Sequence, residues 1–222
     1  NGFLIGSAMM EHDDLNAAVR RVLLGENKVC GLTREQDAQA AYEAGAIYGG
    51  LIFVESSPRA VNEEQARKVI AAAPLSYVGV FRNADINDVA AKADALSLSA
   101  VQLHGDEDQT YIDALRHVLA PQVQIWKAQS VGAILPARNL THVDKYVLDN
   151  GQGGTGQRFD WSLLRGEVLD NVLLAGGLSP DNCVEAAKTG CAGLDFNSGV
   201  ESQPGIKDAS KLASVFKTLR AY

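Results

Sequence analysis

From residue 27 onward, short hydrophobic runs rich in β-formers alternate with longer stretches whose apolar residues recur at helical spacing, the pattern of repeated βα units. Strands are predicted at residues 28–30, 47–53, 77–81, 100–103, 123–127, 145–148, 172–175 and 193–196. Stretches between them such as 34–44, 62–73 and 180–189 are rich in Ala, Glu, Gln and Lys and begin near Ser, Thr, Asn or Asp, so they read as capped helices. Eight strands joined by about eight crossovers close into a (β/α)8 TIM barrel; the competing arrangement is an open doubly wound sheet. A Rossmann sheet carries G-x-G-x-x-G after its first strand, and none occurs there. The barrel is therefore expected, with short loops and no inserted domain, because roughly 195 residues is near its lower limit.

The first 26 residues depart from this pattern. Residues 13–24 put Leu15, Ala18, Val19, Val22 and Leu23 on one side of an amphipathic helix, ahead of any strand. The expectation is an extra N-terminal helix that plugs or covers part of the barrel, and a division of the chain into an appendage, 1–26, and a barrel, 27–222.

Charge and composition narrow the function. The 222 residues carry 20 Lys and Arg against 27 Asp and Glu, a net charge of −7, and the sequence pI is near 5.1. Such a balance repels polyanions, no basic run offsets it, and a nucleic-acid partner is not expected. Apolar runs of about four to eight residues fall far short of a bilayer crossing, and the opening segment lacks the basic start of a secretion signal. A soluble, cytoplasmic protein with no membrane partner is the expectation. Cys30, Cys183 and Cys191 form no C-x-x-C pair and have no histidine at metal-ligand spacing, so neither a metal site nor a disulfide framework is expected.

In a barrel the chemistry sits at the carboxyl ends of the strands. Read in order, those ends are polar: Cys30-Gly31, Ser56-Ser57-Pro58-Arg59, His104-Gly105, Lys127, Asp149-Asn150, Gly176-Gly177 and Asn197-Ser198-Gly199. Side chains alternate along a strand, so Lys28 and Cys30 share one face, Val147 and Asp149 share another, and Cys30 and Asp149 approach the same mouth. A thiol tuned toward neutrality by positive charge and a carboxyl tuned upward by burial would make a base and an acid. Glycines cluster in 151–156, in Gly176-Gly177 and beside Gly199, where backbone N–H groups can cradle a phosphate, often held in barrels by the seventh and eighth loops. Arg59 follows a Ser-Pro pair that restricts its loop and suits an anionic group; His104 suits a substrate oxygen. Each feature also has a plain alternative: a buried cysteine, an Asx turn at Asp149, glycines that only make tight turns, a solvated arginine, a structural histidine.

Six ordered motifs carry a resemblance as well. Lys28-Val-Cys-Gly-Leu-Thr33, Ser57-Pro-Arg59, Val101-Gln-Leu-His-Gly105, Leu148-Asp149 followed by Gly153-Gly-Thr-Gly156 and Phe159-Asp-Trp161, Leu174-Ala-Gly-Gly-Leu178, and Asp195-Phe-Asn-Ser-Gly-Val-Glu201 resemble phosphoribosylanthranilate isomerase over residues 27 to about 220. The opening Gly2 to Met10 and the helix after it resemble the end of indole-3-glycerol-phosphate synthase, to which this isomerase is fused in enteric-type bifunctional enzymes. The resemblance implies an Amadori rearrangement of a phosphosugar in tryptophan biosynthesis without metal or organic cofactor, in a monomeric chain whose parent carries the fused synthase domain as partner. It implies Asp149 as general acid and Cys30 as general base, with Arg59 at the anthranilate moiety and His104 and Asp195 lining the pocket. Gly154, Gly156, Gly176, Gly177, Asn197, Ser198 and Gly199 would hold the phosphate. Family members often carry Ser where this chain has Asn197, so binding there is expected through the backbone. Two rivals are the related aminoaldose isomerase of histidine biosynthesis, which uses two carboxylates on a bis-phosphorylated substrate, and a silent module that stabilises a fused neighbour; Cys30 and the single late phosphate site speak against the first, Cys30 and Asp149 against the second.

Overall fold

A computed structural model describes residues 15–150 and 158–220. Eight parallel strands close into a barrel in the order of the chain: β1 Lys28–Val29, β2 Tyr48–Ile52, β3 Ser76–Phe81, β4 Ala100–Leu103, β5 Gln124–Val131, β6 Lys145–Asn150, β7 Val172–Leu174 and β8 Gly193–Phe196, with β8 hydrogen-bonded back to β1. The eight strands fall where the hydrophobic pattern places them, which settles the choice in favour of the barrel over the open sheet.

The crossovers are less regular than expected. Helices α2 Glu35–Ala44, α3 Glu63–Ala72, α4 Ile86–Ala95 and α5 Gln109–Val118 follow the first four strands, and α6 Cys183–Ala187 and α7 Ala209–Arg220 follow β7 and β8. Helix α1, Leu15–Leu24, precedes the barrel. No α-helix follows β5: residues 132–144 are irregular, with Gly132 and Pro136 breaking any helix and His142 at a positive φ of 61°. Leu135, Leu140 and Val143 pack on the core in its place. Among the described residues after β6 there is only a 3-10 turn, Trp161–Leu164. Capping works as the sequence suggests at three starts, where Asn62, Asp85 and Asp108 accept hydrogen bonds from the backbone N–H groups of Gln65, Asn87 and Tyr111 at 2.9, 2.8 and 2.9 Å.

Alternation along each strand builds two cores. Outward-facing Val29, Leu51, Leu103, Ile125, Leu148 and Leu174 pack under the helices. Inside, Tyr48 and Trp126 meet edge to face at 4.9 Å and, with Val78, Ala100, Val147 and Leu173, fill the lower barrel. Gly50 is required there: a Cβ would stand 2.7 Å from Cys30 Sγ and 3.0 Å from its Cα.

Helix α1 does not bury the predicted apolar stripe. Ala18 is buried, but Leu15, Val22 and Leu23 are 50, 50 and 70% exposed. The helix is held by its polar side instead. Arg20 donates to the carbonyls of Tyr42 and Ala46 at 2.9 and 3.3 Å and lies 4.0 Å from the Tyr42 ring centroid. Asn27 then stitches the helix end to the barrel, donating to Leu24 O and accepting from the Leu194 N–H. The helix lies beside the amino ends of the strands, opposite the expected chemistry. Among the described residues, no helix is long and apolar enough to cross a membrane.

Candidate active site

Residues on or just past every strand except β5 line one cavity of about 370 Å³ at the carboxyl end of the barrel. Cys30, Gln102, His104, Asp149 and Asp195 reach it from β1, β4, β6 and β8 or the residues just past them, and Arg59, Gly176, Gly177, Asn197, Ser198 and Gly199 reach it from the loops. The expected acid and base thus share a chamber. Gly154 and Gly156 lie outside the described residues. Lys127, polar at a strand end, does not line the cavity: it pairs with Glu107 at 2.8 Å and donates to Gly105 O at 2.7 Å.

Asp149 is 9% exposed, and burial raises its carboxyl from the usual 3.8 to about 6. The Asn150 N–H, 2.6 Å from Oδ1, and Lys28 oppose that rise, while Asp195 adds to it. A carboxyl half-protonated near pH 6 suits a proton donor. Burial likewise pushes the Cys30 thiol up, and the Lys28 ammonium is the largest influence pulling it down. His104 is held neutral, chiefly by burial and then by Lys28, and its Nδ1 lies 3.3 Å from Gln102 Nε2.

Arg59 is fixed rather than free: its guanidinium bonds Glu201 through Nε at 2.9 Å and Nη2 at 2.7 Å. Lys207 joins the same carboxylate at 2.7 Å and donates to Asn197 Oδ1 at 3.0 Å. Lys207 thereby takes up the side-chain oxygen of Asn197, and it also donates to the Asn197 carbonyl at 3.4 Å. Gly31, at a φ of 70°, lets the chain pass this cluster, since a Cβ would meet Arg59 Cδ at 2.7 Å and Asn197 Oδ1 at 2.9 Å.

The two glycine loops interlock at the far side. Gly176 and Gly177 have φ of 87° and 64°, and a Cβ on Gly199 would stand 2.0 Å from Leu178 O. Asn182 braces the first loop, accepting from the Ser179 N–H and donating to Gly177 O, both at 2.9 Å.

Sequence reading passed over four residues here. Arg82 stands at the cavity rim; Lys28 lies beneath, paired with Asp195 at 2.7 Å; Glu201 and Lys207 form the brace behind Arg59. Lys28 alone had a usable signal, a charge two positions before Cys30 on an inward face. Two acceptors here, Asp195 Oδ1 and Gln102 Oε1, are buried without a hydrogen-bond partner among the described residues, which suits a donor from a ligand.

Fold and site together place the protein among the (β/α)8-barrel isomerases. More narrowly, it belongs to the N-(5'phosphoribosyl)anthranilate (PRA) isomerase family, whose model matches residues 27–218. The chain is 78% identical over 222 residues to the tryptophan biosynthesis protein TrpCF of Salmonella typhi, covering 100% of this chain and 49% of that protein. It spans about half the length of the curated relatives it matches. The phosphoribosyl anthranilate isomerase of Thermus thermophilus aligns at TM-score 0.78 and 31% identity, covering 88% of this chain and 98% of that one. A phosphoribosyl anthranilate isomerase solved in complex with reduced 1-(o-carboxyphenylamino)-1-deoxyribulose 5-phosphate aligns at TM-score 0.75 and 29% identity, covering 89% and 100%.

Proposed function

We propose that this chain converts N-(5′-phosphoribosyl)anthranilate to 1-(o-carboxyphenylamino)-1-deoxyribulose 5-phosphate with Asp149 as general acid and Cys30 as general base. The observation that carries the reading is the shared cavity, in which a carboxyl raised to about 6 and a thiol reach one space from different strands. Asp149 gives its proton to the ribose ring oxygen as the C1′–O bond breaks, leaving an open-chain Schiff base. The Cys30 thiolate removes the C2′ proton, and the electron pair moves to the nitrogen to form the enolamine. Ketonisation at C2′ then completes the rearrangement. Arg59, immobilised by Glu201, faces the anthranilate carboxylate, and His104 lines the sugar side. Asp195 Oδ1, which has no partner among the described residues, accepts a ribose hydroxyl. The backbone of Gly176, Gly177, Ser198 and Gly199 cradles the phosphate.

The test is fluorescence-monitored consumption of freshly made phosphoribosylanthranilate by the chain and its Cys30→Ala variant. Cys30→Ala is expected to lower kcat by about three orders of magnitude or more with KM within about tenfold. Normal turnover in that variant removes the thiol from the mechanism, and no turnover by the unaltered chain favours a stabilising module instead.

Residues 1–26 are read as the remnant of a fused indole-3-glycerol-phosphate synthase domain. Three observations support this: the relatives are about twice as long, the family match begins at residue 27, and α1 stands outside the eight βα units. A chain beginning at residue 27 should retain the isomerase kcat; loss of turnover in a folded chain of that length would put α1 inside the functional unit.

A further inference from the structure

Lys28 is fully buried at the inward face of β1, inside a barrel whose lower part is filled by apolar side chains. Its register partner on β8 is Asp195, and the two side chains meet at 2.7 Å. A buried ion pair is seldom a net gain for the fold, because an apolar pair of similar volume avoids the desolvation cost. Something other than packing therefore accounts for a charge at this depth.

The surroundings show what that charge serves. Gly50 lies opposite both Lys28 and Cys30, and a Cβ placed there would stand 3.1 Å from Lys28 Cε and 2.7 Å from Cys30 Sγ. The lysine stem and the sulfur therefore sit side by side. Four charged groups act on the Cys30 sulfur: Lys28 from its own strand, Asp195 from β8, Lys207 from the segment after β8, and Arg59 from the loop after β2. Lys207 and Arg59 are both drawn to Glu201. Lys28 has Asp195, but only through Oδ2, while Oδ1 has no partner among the described residues at the cavity floor.

We propose that Lys28 is a positioning residue for the isomerisation, its ammonium supplying the counter-charge that favours the Cys30 thiolate over the thiol. Asp195 sets how much of that charge reaches the sulfur. A ribose hydroxyl donated to Asp195 Oδ1 disperses the carboxylate charge and leaves Lys28 more fully to the thiolate, so the base is strongest when substrate is seated. This rests on Cys30 being the base.

The experiment reads the thiolate directly, as the rate of Cys30 alkylation by iodoacetamide at pH 8, resolved from Cys183 and Cys191 by peptide mass. Lys28→Met alone strands Asp195 as a buried lone charge, so the decisive comparison is Asp195→Asn against Lys28→Met/Asp195→Asn. Asp195→Asn should react faster than the unaltered protein, and adding Lys28→Met should slow alkylation about tenfold or more and lower kcat about tenfold or more at similar KM. Equal alkylation rates in the two variants overturn the assignment. If the double variant does not fold, Lys28→Gln/Asp195→Asn, whose amides can bond each other, takes its place; failure of both to fold assigns the lysine to the fold and likewise overturns it. Cys30→Ala keeps the two readings apart: full activity there refutes the base, whereas an inactive Cys30→Ala with alkylation indifferent to Lys28 refutes only the counter-charge.

Discussion

Arg59 and Glu201, 142 residues apart in the chain, meet in a two-pronged ion pair beside the cavity, at 2.9 and 2.7 Å. The guanidinium plane is thereby set before any ligand arrives. Glu201→Gln should release it and raise KM for phosphoribosylanthranilate about tenfold while leaving kcat within about threefold. The same change strands Arg59 and Lys207 as buried cations and should cost about 3 kcal/mol or more, read as a lowered urea midpoint. An unchanged KM would dissociate Arg59 from substrate binding.

Asp149 links activity to stability with a definite sign. Its folded-state carboxyl, at about 6, binds a proton more tightly than the ordinary 3.8 of the unfolded chain. Stability therefore falls as pH rises between those values and stays at the lower level above them. Asp149→Asn removes the buried charge, so it should abolish turnover yet stabilise the protein at pH 8 by up to about 3 kcal/mol. The gain should shrink toward pH 4.5. Urea titrations at the two pH values check this, and a variant less stable than the unaltered protein at pH 8 would contradict it.

The phosphate cradle depends on the close approach of two loops. Gly199→Ala sets a methyl group against the Leu178 carbonyl, where only 2.0 Å is open, so the loops after β7 and β8 must part. KM should rise about tenfold or more, and competitive inhibition by inorganic phosphate should weaken in parallel. Unaltered phosphate inhibition would move the anion elsewhere.

Helix α1 should matter to the fold and not to the chemistry. Arg20→Ala removes two hydrogen bonds and the contact with the Tyr42 ring. The expected loss is about 1–2 kcal/mol of stability with kcat unchanged. A drop in kcat at full folding would show communication between the two ends of the barrel.

How far the sequence speaks depends on whether local pattern or distant pairing decides. The strands of 100–103 and 193–196 fall as expected, each an apolar run broken by one polar residue, Gln102 and Asp195. β5 runs on to Val131 through polar Gln129 and Ser130, because β6 pairs with it up to Ser130↔Asp149 and Val131↔Asn150, and no local pattern shows that. The helix expected over 180–189 shrinks to Cys183–Ala187, since the Asn182 side chain braces the glycine loop. Cys30, Asp149 and the glycines announce themselves at strand ends. Glu201 and Lys207 do not, for their meaning lies in what the barrel brings to them.

The stave that leads into the thiol is two residues long, and Lys28 joins Asp195 across a sequence distance of 167 residues. That contact is the last stitch of the circle, where the first strand meets the final one. A barrel assembling from its first strand would thus carry the base from the outset but remain chemically mute until the eighth strand docks. Completion of the cylinder and the birth of its reactivity are then a single event, and a half-built protein has no means of acting on a metabolite it cannot yet enclose.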